Sequence, residues 1–227
     1  MLMKGNNHAP QTIDDIIFGN AESKLRIQDI VKGTEEIPYC GKSAILLYGA
    51  FGTGKTTLAK MLPNHIEFGK TKGELIWPEE FIGCQQGFNG PQVMSLIDSV
   101  LSKSSLNASG LHYFIIDEVD NLTKLAQQSL KSALNTTRGV FILTTNNVSQ
   151  LDRGLLDRSI LVEMNAANPS DYLSIAKSII KEAGVTLSDE DLLPTIQAAN
   201  GSFRNLFHNV GRLARRKGQQ PPPNVIY

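Results

Sequence analysis

The chain has 227 residues, with 22 Lys and Arg balancing 22 Asp and Glu, 41% hydrophobic and 19% charged residues. That composition suits a globular protein with a sizeable core, and zero net charge excludes a grossly basic nucleic-acid coat or an acidic tail while leaving local basic patches open. Cys40 and Cys84 are too few for a disulfide scaffold or a four-cysteine zinc site, and neither a bilayer-length apolar run nor a signal-peptide stretch in the opening MLMKGNNHAPQ is found, so a cytoplasmic or nucleoid-associated protein, not secreted and with no membrane partner, is expected.

In chain order, the first apolar run is Ser43–Tyr48, followed by a helix-like segment over Thr56–Leu62. Helical segments at Pro91–Leu101 and Leu125–Asn135 flank the run Leu111–Ile116. Val140–Thr145 is a third run and Ile160–Met164 a fourth. Continuous rather than alternating apolarity predicts strands covered on both faces, and their alternation with helices predicts an α/β domain with a parallel sheet. The character changes after Asn165. Ala166–Ser170 reads as a linker, and helices are predicted over Ser170–Ala183, Ser188–Asn200 and Ser202–Lys217. Ser188 with Asp191 has capping-box spacing, and Gly184 and Gly201 stand where helices stop. The expected organisation is an α/β domain over 1–165, a small all-helical domain over 166–217 and an extended, mobile tail over 218–227.

Directly after the first strand comes Gly49-Ala50-Phe51-Gly52-Thr53-Gly54-Lys55-Thr56, the full Walker A pattern between a strand and a helix. The glycines let successive backbone N–H groups turn toward phosphate oxygens, helped by the positive end of the following helix. Lys55 can bridge the β- and γ-phosphates of ATP, the Thr56 hydroxyl can ligate Mg²⁺, and Thr57 completes the expected nucleotide-contact set. The second strand ends in Asp117-Glu118: a carboxylate at that tip is where a magnesium-organising aspartate belongs, with Glu118 placed to polarise an attacking water. Asp120 reads either as a third acid of the site or as the cap of the following helix. At the tip of the third strand, Asn146 or Asn147 can hold the attacking water or sense the γ-phosphate, while the pair alone would read as a turn.

With these motifs in place, the chain resembles the AAA+ ATPases, and within them the clamp-loader branch, notably replication factor C small subunits. The resemblance runs from Pro10 to about Lys217. It implies a P-loop AAA+ domain followed by a helical lid, with Pro10–Ile17 beside the adenine and Ile16 and Ile17 as contacts. It includes Ala126–Leu130 on the helix between the second and third strands. It implies Asn146 rather than Asn147 as sensor 1. Leu151–Arg158 is similar to the arginine-finger segment, with Arg158 reaching a neighbouring subunit's γ-phosphate in trans and Arg153 as its competitor. Gly201–Leu206 resembles the sensor 2 motif, with Arg204 touching phosphates in cis. The chain departs from the family with Asp157-Arg158-Ser159 where Ser-Arg-Cys is usual, with His8-Ala9 ahead of the proline, and with a stop at Tyr227 that leaves no counterpart to the collar domain. Without a collar, a monomeric nucleotide-free protein and an ATP-dependent ring or spiral, of one or two subunit types, are expected.

The resemblance implies an oligomeric ATPase that loads or remodels a protein, such as a sliding clamp or helicase, on DNA. The alternatives are a helicase loader or transposition-type regulator on DNA, and an ATP-gated binding switch with little turnover. Candidate DNA-facing cations are Lys124 and Lys131 on one helix face, with Lys103 and Arg138 nearby, and the cluster Arg212, Arg215, Arg216 and Lys217, which equally suits a helix C-terminus. With 7% aromatics there is no base-stacking stripe.

Overall fold

A computed structural model of the chain describes residues 10–84 and 90–218. His8-Ala9 and the tail expected beyond Gly218 lie outside the described residues. By its contacts the chain forms two compact units. One comprises Asn20–Gly49 with Lys55–Met164, and the other groups the described parts of Met1–Gly19 and Asn165–Tyr227 with Ala50–Gly54.

The first unit is built on a five-stranded sheet in the order β2-β3-β4-β1-β5. The strands are β1 (Ala44–Tyr48), β2 (Glu80–Gly83), β3 (His112–Asp117), β4 (Gly139–Thr145) and β5 (Ser159–Glu163). Every pairing is parallel, with Tyr48 opposite both Thr145 and Glu163, and Gly83 opposite Asp117. All C-terminal strand tips therefore share one edge. β4 is buried at every position, the reason its run reads as unbroken apolarity. Phe114 and Phe141 stack at 4.8 Å between ring centroids, among Leu46, Ile116 and Leu143. The helices are α1 (Ala21–Lys32), α2 (Lys55–Thr71), α3 (Gly90–Leu101), α4 (Lys124–Ala133) and α5 (Arg153–Asp157). Val93 and Ile97 of α3, with Ala126 and Leu130 of α4, fill the core against the same sheet residues.

Three features depart from the sequence expectation. β2 and α1 were not anticipated, and α2 continues past Leu62 to Thr71 with Pro63 inside it. An interior proline costs about 3 kcal/mol. Burial of Leu58, Leu62 and Ile66 along the same helix offsets that cost. The far end of α2 is anchored by the fully buried Glu67, whose carboxylate accepts hydrogen bonds from the Tyr113 hydroxyl at 2.9 Å and the Ser109 amide at 2.9 Å.

The second unit packs α6 (Leu173–Glu182), α7 (Asp189–Gln197) and α8 (Phe203–Gly218) around Tyr172, Ala176, Ile180, Leu192, Leu206 and Val210. The Ser188–Asp191 capping box forms as expected. Gly184, directly after the α6 C-cap Ala183, has φ 71°, a left-handed conformation that ends a helix at little cost for glycine, whereas α7 stops at Gln197, short of the expected Asn200, and Gly201 at φ 73° lies beyond its C-cap Ala198. The first predicted helix of this region opens as a 3₁₀ turn over Pro169–Tyr172 before α6 begins. No helix among the described residues is long and apolar enough to cross a membrane.

Candidate active site

The strand tips of the sheet unit bring together Lys55, Thr56, Asp117, Glu118, Thr144 and Asn146. Lys55 and Thr56 open α2 directly behind β1, and Asp117 is the last residue of β3. The Thr56 hydroxyl donates to Asp117, at 2.9 Å from Oδ1 and 3.2 Å from Oδ2. On its other side Asp117 Oδ1 accepts from the Thr144 hydroxyl at 2.6 Å, and Thr144 Oγ1 in turn accepts the Glu118 amide at 2.9 Å. One threonine of β4 thus orients both acids. The sequence reading missed it, because a threonine inside an apolar run reads as strand propensity.

Glu118 adopts φ 59° and ψ 51°, an uncommon left-handed conformation for a non-glycine residue, and its carboxylate is exposed. Asn121 Nδ2 donates to Glu118 Oε2 at 3.2 Å and to the Cys84 carbonyl at 3.2 Å. Asn121 therefore ties the glutamate to the end of β2. Cys84 is buried beside the acids: burial first, then the charges of Asp117, Glu118 and Asp120, push its thiol up to about 12.

Lys55 is buried, and its ammonium donates to the Gly49 carbonyl at 2.9 Å. Burial pulls its pKa down, opposed most by Asp120, then by Asp117 and Glu118. Asp120 sits in a 3₁₀ turn, and its Oδ1 is buried without a hydrogen-bond partner among the described residues. It does not cap α4. That role belongs to Thr123, whose hydroxyl accepts the Ala126 amide at 3.2 Å. The two asparagines also separate. Asn147 is spent on a turn, accepting from the Ser149 hydroxyl at 2.7 Å, whereas the half-buried Asn146 has no side-chain hydrogen bond among the described residues.

The tip of the Walker A loop belongs by its contacts to the helical unit. Thr53 is buried and its hydroxyl donates to the Ala50 carbonyl at 3.0 Å. The Ala50 amide donates to Asn165 Oδ1 at 3.2 Å, another contact absent from the sequence reading. Gly52 has φ 78°, and a β-carbon there would lie 2.3 Å from Ser202 Oγ, so the backbone approaches α8 as only glycine permits. The Phe203 amide donates to the Gly52 carbonyl at 2.9 Å. This places Arg204, exposed in the first turn of α8, one residue from a loop contact. Phe51 is exposed. Ile16 is buried, and Ile17 packs on the helical core and lines a cleft of about 470 Å³ with Pro10 and Ile175.

Arg158 is the C-cap of α5 rather than part of it, immediately ahead of β5. Its guanidinium donates to Asn135 Oδ1 at 2.9 Å and to the Gly154 carbonyl at 3.1 Å. Arg153 is exposed, with no side-chain partner among the described residues. Several cations considered for DNA contact are committed internally. Lys124 donates to the Gln150 carbonyl, Lys131 lies 3.6 Å from Asp152, and Arg138 donates to the Lys103 carbonyl at 2.7 Å.

The profile of the ATPase family associated with various cellular activities (AAA) matches residues 45–164. Among curated relatives, the chain is 25% identical over 209 residues to replication factor C small subunit 2 of Pyrobaculum islandicum, which covers 88% of this chain and 60% of that protein. It is 26% identical over 201 residues to a replication factor C small subunit of Methanosphaera stadtmanae, covering 87% of this chain and 58% of the relative. The chain thus spans about 60% of the length of these relatives. Among solved structures, a mutant of Thermotoga maritima RuvB has a TM-score of 0.60 at 20% identity, covering 92% of this chain and 65% of that one. A likeness at that identity speaks to the fold alone.

Proposed function

This chain belongs to the AAA family of ATPases, and on that premise we propose that it hydrolyses ATP at the interface between subunits of an oligomer, coupling turnover to the loading or remodelling of a protein on DNA in the manner of a clamp loader. In this reading residues 1–165 form the ATPase domain and 166–217 its lid.

The observation that carries the proposal is Asp117 held between the hydroxyls of Thr56 and Thr144. A carboxylate and a hydroxyl in contact are the hard oxygen donors that Mg²⁺ prefers, so the residues fit the ion. Bound ATP with Mg²⁺ supplies the transferable phosphoryl group and the cation that offsets its charge. The chain does the rest. Amides of the glycine loop and Lys55 hold phosphate oxygens, and Thr56 and Asp117 hold the cation. Glu118, once released from Asn121, polarises the attacking water, and Asn146 orients it with its uncommitted amide. Arg204 reads the phosphates from the lid.

Arg158 acts on a neighbouring copy. It precedes β5, at the sheet edge opposite the strand tips, roughly 16 Å away at about 3.3 Å per residue along the five-residue strand. It has no route to its own site. An arginine neutralising transition-state charge in trans is worth about 10³–10⁵ in rate. Arg153 is the second reading, because it is exposed with no side-chain partner among the described residues while Arg158 is tied to Asn135.

The test is steady-state ATP turnover against protein concentration, with and without primed DNA, for the native chain, Arg158→Ala and Arg153→Ala. A per-subunit rate that climbs with concentration or DNA and falls at least a hundredfold only in Arg158→Ala supports the trans reading. A collapse confined to Arg153→Ala reassigns the finger. A flat, negligible rate despite tight ATP binding would instead indicate a nucleotide-gated switch, and the motor reading would be withdrawn.

A further inference from the structure

α8 carries Arg204, Arg212, Arg215, Arg216 and Lys217 and neither Asp nor Glu, in a chain whose overall charge is balanced. Arg212, Arg215 and Arg216 are exposed, and none forms an ion pair or side-chain hydrogen bond among the described residues. Several other cations are occupied: Lys42 donates to the Asp157 and Ser159 carbonyls, Lys177 pairs with Asp189, and Lys124, Lys131 and Arg138 are tied as described.

The helix itself does not explain this set. Cations favour a helix C-terminus only within its last turn, which accounts for Arg215, Arg216 and Lys217 but leaves Arg212 out. Arg212 and Arg216 stand four apart, so they share a face about 5–6 Å apart, an arrangement that repels in the absence of an anion. Beside them lies a cleft of about 360 Å³ between α7 and α8, whose polar lining is Arg212, Arg216, Asn209 and Thr195 over a floor that includes Pro194 and Leu213. No carboxylate among the described residues lines it.

We propose that this α7–α8 face binds the sugar–phosphate backbone of nucleic acid, with Arg212 and Arg216 on phosphates and Asn209 and Thr195 supplying neutral contacts to the same oxygens. Guanidinium, amide and hydroxyl groups together are the set that contacts phosphate oxygens, positioning without reading sequence. Among the described residues the cleft has no aromatic lining on which a base could stack, so binding is independent of base identity and strongly salt-dependent. The surface stands apart from the ATPase reading and requires no turnover.

The experiment follows the anisotropy of a labelled mixed-sequence duplex titrated with the full chain between 50 and 200 mM salt. Removing two phosphate contacts should lower the slope of log affinity against log salt by about 1.8. Arg212→Ala with Arg216→Ala should show that drop and bind at least tenfold more weakly at the low-salt end. Arg212→Lys with Arg216→Lys should keep most of the slope. Lys32→Ala with Lys70→Ala, an equal charge change at exposed positions of the sheet unit, should leave the slope intact. Native-like melting establishes that each variant is folded, with ATP binding as a second check for the arginine and surface-lysine variants, and Lys55→Ala should lose ATP binding but not DNA binding, which separates this surface from the nucleotide site. An unchanged slope in the double alanine variant, or an equal loss in the lysine control, would overturn the proposal. So would native DNA affinity combined with lost ATP-dependent self-association or lost binding to polyglutamate, since the face would then serve another subunit or an acidic protein.

Discussion

Thr144→Val is the most informative single change, because it removes a hydroxyl without altering side-chain shape. Thr144 is buried, and its hydroxyl makes two bonds, one given to Asp117 and one accepted from the Glu118 amide. A bond to a charged group is worth about 1.5–3 kcal/mol, and a partly buried N–H left unpaired costs about 1–3 kcal/mol. Asp117 keeps Thr56 as a donor, and water can reach the exposed neighbourhood of Glu118, so the lower ends of both ranges apply. The expected loss is about 2–3 kcal/mol, or roughly 4–12 °C in Tm for a chain of this size. Both acids also lose their orienting contact. Removal of such a supporting group typically weakens metal affinity or activity by about 10–100-fold, so the Mg²⁺ concentration at half-maximal ATP turnover should rise by at least tenfold. Thr144→Ser, which keeps the hydroxyl, should recover both. The assay pairs calorimetric melting with turnover across a Mg²⁺ series. A valine variant with native Tm and native Mg²⁺ dependence would show that Thr144 does not organise the acids.

Burial holds the Lys55 ammonium below the ordinary lysine value of 10.5, so the unfolded chain binds that proton more tightly. Stability therefore rises with pH between the folded value and 10.5, and at neutral pH the buried charge is a cost; Lys55→Met should raise the nucleotide-free Tm at pH 7 while abolishing the rise that ATP produces, and a lowered Tm would contradict the sign. Because the Cys84 thiol is buried and raised to about 12 while Cys40 is exposed, a thiol reagent at pH 8 should modify Cys40 alone in the native protein and both in denaturant; rapid native labelling of Cys84 would mean that the end of β2 opens readily. Asn146→Ala should lower turnover about 10²-fold or more with little change in Tm, whereas Asn147→Ala, which loses only a turn contact, should leave turnover near native; equal effects would undo the distinction.

How much of this was legible in the sequence follows from what surrounds each segment. β1, β3, β4 and β5 lie inside the sheet or under helices, so their apolar runs are continuous. β2 is a four-residue edge strand in which only Ile82 is buried, and Glu80, Phe81 and Gly83 carry no comparable signal. α1 was missed for a different reason. Its buried face amounts to Ser23, Ile27 and Ile30, too sparse for periodicity, yet its cap signals were present: Asn20 accepts the Glu22 and Ser23 amides, and Gly33 ends the helix at φ 79°. The helix expected to end at Leu62 runs on through Pro63 to Thr71, where packing of its buried face overrides the proline.

The Walker A loop was readable because its chemistry depends on backbone geometry, and backbone geometry demands glycine at set spacings. The support around the acids depends instead on side chains from other strands and loops. Thr144 reaches Asp117 across the β3–β4 pairing, and Asn121 reaches Glu118 and the end of β2 from a 3₁₀ turn. No local pattern encodes such contacts, since a threonine in a strand and an asparagine in a turn are what ordinary propensity would place there. The same turn explains why Asp120 was misjudged as a cap. Three residues intervene before α4 begins, Thr123 takes the cap, and the acid is left facing Lys55 as the strongest of the three charges that hold its proton. The groups that execute the chemistry are thus written in local motifs, while the groups that tune them become visible only when the sheet is assembled.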